Sequence, residues 1–380
     1  MALFSPITPE DHLKRIDRTK RLMEERDLDL LVVFSDAWRS GNSRYLTGIR
    51  PYTGFFSEVP GYTQNIVTIP REGDPALFVC DFMQDWVKRG VAGTLKEKPW
   101  IDVKPWTQVD SALRELGPKV KSVGFEGKNI VPWAIYEDLR TATGSELKDT
   151  DILELQRRIK SEKEIKLLEV ASNINDRICE ELVGGIIRYG VTEKEVQREI
   201  EVLGHSMGAE YVDANFMQSR NVGWAYATDA TIDDGSLLSL HVILQYEGYN
   251  SDNDRIFGFG NISKEEEELA EIVKEAFKNY LNAVKPGVEA IEAIIAAVNT
   301  HDFVCSGEES SGASGHSIGL EGEEGLINNW TFEEGMVFTG SVGAYNKDIK
   351  ATWATEDVIV VTESGARTLT KFPRDCVIRV

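Results

Sequence analysis

Positive charge is scarce in this chain. Lys and Arg total 42 against 63 Asp and Glu, a formal net charge of -21 over 380 residues. A field of that sign repels phosphate backbones and anionic headgroups, so neither nucleic acid nor a membrane is an expected partner. Cysteine is sparser still. Cys80, Cys179, Cys305 and Cys376 lie far apart with no CxxC pair, which excludes a structural zinc knuckle or a disulfide framework and suits reduced thiols. No apolar run approaches the ~20 residues that cross a bilayer. MALFSPITPEDHLKR has no basic stretch leading into a long apolar one, so no signal peptide is expected and the location expected is cytoplasmic. No GxSxG or GxGxxG placed between strand and helix appears, and no P-loop, so serine-hydrolase and nucleotide-binding chemistry lack support.

The patterned segments divide into two regions. Thr8-Pro9-Glu10-Asp11 opens a helix expected to run to about Arg26, since Thr caps, Pro suits the first turn and acids favour the positive helix end. Residues 28–34, 64–69, 76–80 and 121–125 read as strands, and 108–116 and 132–142 as helices. This alternation indicates an α/β domain over residues 1–155. From 156 to 380 the pattern changes. Ser161/Glu164, Thr192/Glu195 and Ser263/Glu266 are capping boxes that start helices, and a further helix is expected over 288–300. Strand-like runs lie at 237–244, 336–342 and 357–362. Helices grouped beside strands indicate an α+β second domain. SGEESSGASG (306–315) reads as a loop.

Four segments of the second region carry a resemblance. RRIKSEKEIKLLEVA (157–171) is similar to a domain-opening helix. GSLLSLHVILQYEGYNSDNDR (235–255) is similar to a strand pair with two metal-binding aspartates. GHSIGLEGEE (315–324) resembles GHGIGL-x-x-HE. EEGMVFTGSVGAY (333–345) with ATEDVIVVTESGARTLT (354–370) resembles GMVFTIEPGxY and RxEDxVxVTxxGxxxLT. In that order they resemble the creatinase, prolidase and methionine aminopeptidase family. The resemblance implies a pita-bread second domain, in which helices pack outside a curved antiparallel sheet with the site on its inner face. It also implies a smaller α/β first domain and a homodimer. RPYTGFFSEVPGY (50–62), with Phe55 and Phe56, is the candidate lid over a partner's site.

The family's two adjacent metals are held by Asp, Asp, His, Glu and Glu. These positions fall on His241, Asp252, His316, Ser341 and Glu356. Two carboxylates are gone, and a dinuclear centre needs their charge. Other departures are expected to line the same cavity. A histidine position falls on Trp224, the second histidine of GHGIGL-x-x-HE falls on Glu323, and the arginine of RxED falls on Ala354. His241 interrupts an apolar strand. Asp252 and Asp254, two apart, share one strand face and repel when buried together; creatinase has a similar extra carboxylate at the second position. His316 is the expected proton-transfer group.

These residues support three readings. The leading expectation is a creatinase-like hydrolase without the dinuclear centre, cleaving a C–N bond in a small nitrogen-containing metabolite with no metal or other cofactor. His316, His241, Asp252, Asp254 and Glu356 would be catalytic. Trp224, Glu323, Ser341, Phe55 and Phe56 would bind substrate. The second is a mononuclear metalloenzyme, a Xaa-Pro-type peptidase or a lyase, with its ion on His241, Asp252, His316 and Glu356. The third is a catalytically inactive binding member of the family.

Overall fold

The computed structural model describes residues 6–53, 59–92, 100–218, 225–233, 237–300, 312–346, 348, 351–374 and 378–379. The chain divides into two compact units, residues 1–157 and 158–380.

The first unit runs α1 (Pro9–Glu25), β1 (Leu30–Asp36), α2 (Gly41–Thr47), β2 (Gln64–Pro70), β3 (Ala76–Val79), α3 (Gln84–Ala92), β4 (Asp102–Pro105), α4 (Val109–Leu116), β5 (Val123–Glu126), α5 (Trp133–Thr143), β6 (Leu147–Asp149) and α6 (Ile152–Arg158). α1 starts where the sequence places it, because the Asp11 carboxylate accepts from both the N–H and the hydroxyl of Thr8 at 2.7 Å. The strands form one mixed sheet in the order β4-β3-β2-β1-β5-β6. Leu30, Val32 and Phe34 of β1 are fully buried with Phe78 and Phe125 as its core.

Glu126 ends β5 inside this core, only 5% exposed. Its carboxylate accepts from the N–H of Leu153 in the first turn of α6, at 2.9 Å. Burial pushes the carboxyl from an ordinary 4.5 to about 8, a rise that this hydrogen bond opposes.

The second unit runs α7 (Glu162–Glu181), α8 (Glu193–Ser206), β7 (Tyr211–Gln218), β8 (Leu237–Tyr246), β9 (Tyr249–Gly258), α9 (Lys264–Ala283), α10 (Ala290–Val298), β10 (Gly312–Ser317), β11 (Val337–Asn346), β12 (Ala351–Thr362), β13 (Gly365–Thr368) and β14 (Ile378–Arg379). Capping boxes at Ser161, Thr192 and Ser263 open α7, α8 and α9 as the sequence requires. The eight-stranded sheet follows β10-β11-β12-β9-β8-β7, with β13 on β12 and β14 on β9. α7 packs on β8 and β9, and α9 on β11 and β12.

Period-2 alternation decides which side chains leave the helix-covered face. In β8, Leu238, Leu240, Val242 and Leu244 are fully buried, while His241, Ile243 and Gln245 are part-exposed on the other face. The hairpin to β9 turns on two residues with positive φ, Glu247 at 48° and Gly248 at 84°. Such a tight turn pins register. It sets His241 opposite Asp254 and Ile243 opposite Asp252.

The helix-side residues of β9 and β12 form a buried polar clamp. Arg255 donates to Asp357 Oδ1 at 2.7 Å and to the carbonyls of Asp254 and Glu356 at 2.8 and 3.0 Å. Asp357 also accepts from Thr370 and lies 3.1 Å from Arg374.

Residues 306–315 read as a loop from composition. Gly312–Ser317 is instead strand β10, paired along its length with β11, and residues 306–311 lie outside the described residues. Sheet pairing overrides the low strand propensity of glycine and serine. Gly315 is required there, since a Cβ would come within 2.4 Å of the Thr339 carbonyl and 3.0 Å of the Tyr280 hydroxyl.

Two outcomes follow. Between about pH 4.5 and 8, folded Glu126 keeps a proton that the unfolded chain has released. Its stabilising effect is therefore complete below pH 4.5 and lost as pH rises through 8. In pH-resolved denaturant unfolding, Glu126→Gln will match the parent near pH 5 and exceed it near pH 8 by on the order of 2–4 kcal/mol; parallel curves would refute this. Asp357→Asn strips the buried guanidinium of its counter-charge and will cost about 3–5 kcal/mol in the same assay. A loss below about 1 kcal/mol would mean that the clamp is not what holds β9 to β12.

Candidate functional site

The open face of the second sheet collects the chemistry. Cross-strand partners form a row from Asn215 on β7 through His241, Asp254, Glu356 and Ser341 to Ser314 on β10. Directly opposed residues share a face, so the row is polar across six strands. Asp252 joins it two residues before Asp254. His316 joins it on β10, opposite Thr339.

Five ionisable side chains converge there. His241 Nε2 hydrogen-bonds Asp252 Oδ1 and lies 3.9 Å from Glu356 Oε2. His316 Nε2 lies 3.5 Å from Glu356 Oε1 and 3.8 Å from Asp252 Oδ2. Asp254 is fully buried, and its Oδ1 accepts from the Ser239 hydroxyl at 2.7 Å. Among the described residues Asp254 Oδ2 has no hydrogen-bond partner, and Glu356 Oε1 makes no well-aligned bond.

Electrostatics follow from this crowding. Burial disfavours the His241 imidazolium, but Asp252, supported by Glu356, raises it to about 10. Burial likewise opposes His316, and Glu356 raises it to about 9. Glu356 resists its own burial and is held low by both imidazoles. Asp254 goes the other way: burial pushes it up to about 7 against the pull of His241.

Ligand atoms of His241, Asp252 and Glu356 all lie within 4.8 Å of one another, the one such group among the described residues. One imidazole and two carboxylates around a point suit Zn, Mn or Fe, with His316 as a further nitrogen donor. The incompletely satisfied Glu356 carboxylate fits a cation there. A second adjacent ion fits poorly, because the side chain next to Glu356 in register is the hydroxyl of Ser341.

The structure thus gathers His241, Asp252, Asp254, His316, Glu356 and Ser341. It exposes Glu323 on the turn after β10 and buries its neighbour Glu324 instead, with that carboxylate 3.0 Å from Lys160 Nζ. Trp224, Phe55 and Phe56 lie outside the described residues. Asn215 and Ser239 escaped sequence reading, because only strand register shows them beside His241 and Asp254.

Residues 166–363 match Metallopeptidase family M24, and residues 15–159 match the Creatinase/Prolidase N-terminal domain. A Xaa-Pro dipeptidase of Pyrococcus horikoshii is 27% identical over 376 residues, covering 96% of this chain and 99% of that protein. A putative dipeptidase of Bacillus subtilis is 29% identical, covering 86% and 92%. Among solved structures, the prolidase from Pyrococcus horikoshii superposes with a TM-score of 0.81 at 26% identity, covering 96% and 99%. The prolidase from Pyrococcus furiosus gives 0.76 at 25%, covering 93% and 99%. These matches bear out the two-domain pita-bread fold expected from sequence.

They overturn the expectation of a metal-free, creatinase-like hydrolase of small nitrogenous metabolites. The likeness is to a metallopeptidase family and to Xaa-Pro dipeptidases. The physical reason lies in what His241 keeps: the carboxylate charge is gone, but a donor atom remains. The ring nitrogen reaches the same point as Asp252 and Glu356, so the replacement changes the kind of donor without emptying the site.

Metal titration of chelator-stripped protein will therefore saturate at about one divalent ion per chain, and His241→Asp with Ser341→Glu will raise this to about two. Two ions on the unaltered chain would show that Ser341 and His241 are not what limits the site.

Proposed function

The chain belongs to Metallopeptidase family M24, and on that premise we propose that it is a metal-dependent peptidase of the Xaa-Pro dipeptidase kind, working with a single ion. The observation that carries this reading is the convergence of His241, Asp252 and Glu356 on one point of the open sheet face. His241, Asp252, Glu356 and His316 would hold the ion. When bound, the ion supplies Lewis acidity toward the scissile carbonyl and an activated water.

The remaining steps rest on side chains. The His316 ring is oriented by its Nδ1, which donates to the Ser317 carbonyl at 3.3 Å. A carbonyl only accepts, so Nδ1 carries the hydrogen and Nε2 faces Glu356 and Asp252. Asp254 Oδ2, lying between His241 and Glu356 in register, is placed to take up a proton released when water is consumed. Water adds to the carbonyl carbon, the C–N bond breaks, and the departing amine leaves with a proton. Ser341 and Asn215 offer neutral hydrogen-bonding groups on either side of the cluster for the polar parts of a peptide.

A homodimer belongs to the same proposal on the strength of the family resemblance. A cytoplasmic location is supported by the free, buried thiols of Cys80 and Cys179. Among the described residues no helix is long and apolar enough to cross a membrane.

Xaa-Pro dipeptides incubated with protein carrying Zn, Mn or Fe will release free proline, and chelation will stop the release. His316→Ala will stay folded by circular dichroism and lose turnover by ~100-fold or more. Hydrolysis that survives complete metal removal would sink the metal-dependent reading. A metal-loaded protein inert toward every Xaa-Pro dipeptide would sink the substrate class.

A further inference from the structure

Eight residues beyond His316, a second charged group is sealed into the protein. Lys160 Nζ and Glu324 Oε2 are 3.0 Å apart, with side chains only 2% and 5% exposed. A buried ion pair is poor value as a stabiliser, because desolvating both charges costs about as much as their attraction returns. Its geometry points to another role.

The pair closes the turn that follows β10. Glu324 Oε2 accepts from the Ser317 hydroxyl at 3.2 Å, and Lys160 Nζ reaches the same hydroxyl at 3.4 Å. Glu324 Oε1 accepts from the Glu321 N–H at 3.3 Å. The Glu324 N–H donates to the Ser317 carbonyl at 2.8 Å, and the Ser317 N–H to the Gly325 carbonyl at 2.8 Å. Lys160 is itself fixed, its N–H donating to the Gly335 carbonyl at 2.8 Å just before β11. The Ser317 carbonyl at the centre of this network also accepts from His316 Nδ1.

We propose that Lys160, Glu324 and Ser317 form a buried brace that positions His316. By fixing the Ser317 carbonyl, the brace holds the proton on Nδ1 and turns Nε2 toward Glu356 and Asp252. Lys160 and Glu324 are positioning residues, acting through the ring and touching neither ion nor substrate. Partners that orient a ligand imidazole through its second nitrogen govern metal affinity by ~10–100-fold. The inference rests on His316 belonging to the metal centre and is independent of which bond the enzyme cleaves.

The test uses the full chain in two variants. Lys160→Met with Glu324→Gln removes both charges together, avoiding the uncompensated charge that a single change would leave. Ser317→Ala keeps the ion pair and cuts its hydroxyl link to β10. Two readouts are followed beside thermal melting: long-range 15N spectra of the histidine rings in metal-free protein above pH 9, where the His316 ring is neutral and its tautomer defined and which five histidines in the chain keep tractable, and Zn2+ affinity by calorimetry. The double variant should melt within several degrees of the parent. His316 should lose its fixed Nδ1–H signature, and Zn2+ should bind ~10-fold more weakly or worse. Ser317→Ala should move both readouts in the same direction by less. A folded variant of either kind with unchanged His316 resonances and unchanged affinity overturns the brace. Neither readout requires peptidase activity, so failure of the proposed reaction would be seen separately.

Discussion

The Arg255 guanidinium is the constraint on which the site depends. It lies on the helix-covered face of the sheet, yet it binds the carbonyls of Asp254 and Glu356, whose side chains point to the opposite face. One rigid, planar group thus fixes the backbone at two site residues on two strands. The register pair Glu356–Asp254 joins β12 to β9 at the same place. Asp357 supplies the counter-charge, and its own side is closed by Thr370 and Arg374. Asp176 of α7 then accepts from the N–H groups of Lys371 and Phe372 at 2.7 and 2.9 Å, tying the following segment to the helix layer. The acids on the open face are held in place by a cation they never meet.

Register does the rest. The two-residue hairpin at Glu247 and Gly248 fixes β8 against β9, and a slip of one residue would send His241 into the helix face and Leu240 into the site. A short edge strand brings His316 from the far side. Its glycine at 315 is imposed by Tyr280 of α9, which also packs against Gly340 on the neighbouring β11.

Local signals made much of the fold legible. Capping boxes at Ser161, Thr192 and Ser263 mark helix starts because their chemistry lies within four residues. β10 was hidden, since nothing in Gly-Ala-Ser-Gly prefers a strand and only pairing with β11 makes it one. Motif spacing made His241, Asp252, His316 and Glu356 legible as site residues. Spacing put Glu323 on the motif's second histidine but could not show that Glu323 faces out and Glu324 faces in. That choice depends on Lys160, more than 160 residues earlier, reaching one of them in the interior. Ser239 and Asn215 belong to the same class of residue, visible only once strands are paired.

The sequence also left open whether replacing two carboxylates abolishes metal binding or changes its stoichiometry, and charge counting favours the second. Two adjacent divalent ions bring four positive charges, and the family pattern meets them with four carboxylates and one histidine. Here Asp252 and Glu356 remain, and two carboxylates balance one ion. His241 and Ser341 remove the anions that a second ion would need, while His241 keeps a nitrogen at the first. Asp254 adds a third acid, but its burial and its bond from Ser239 draw it toward the neutral form, so it need not recruit a second cation. The side chains present therefore carry charge for one ion rather than two, and the Ser341 hydroxyl stands beside Glu356 in register.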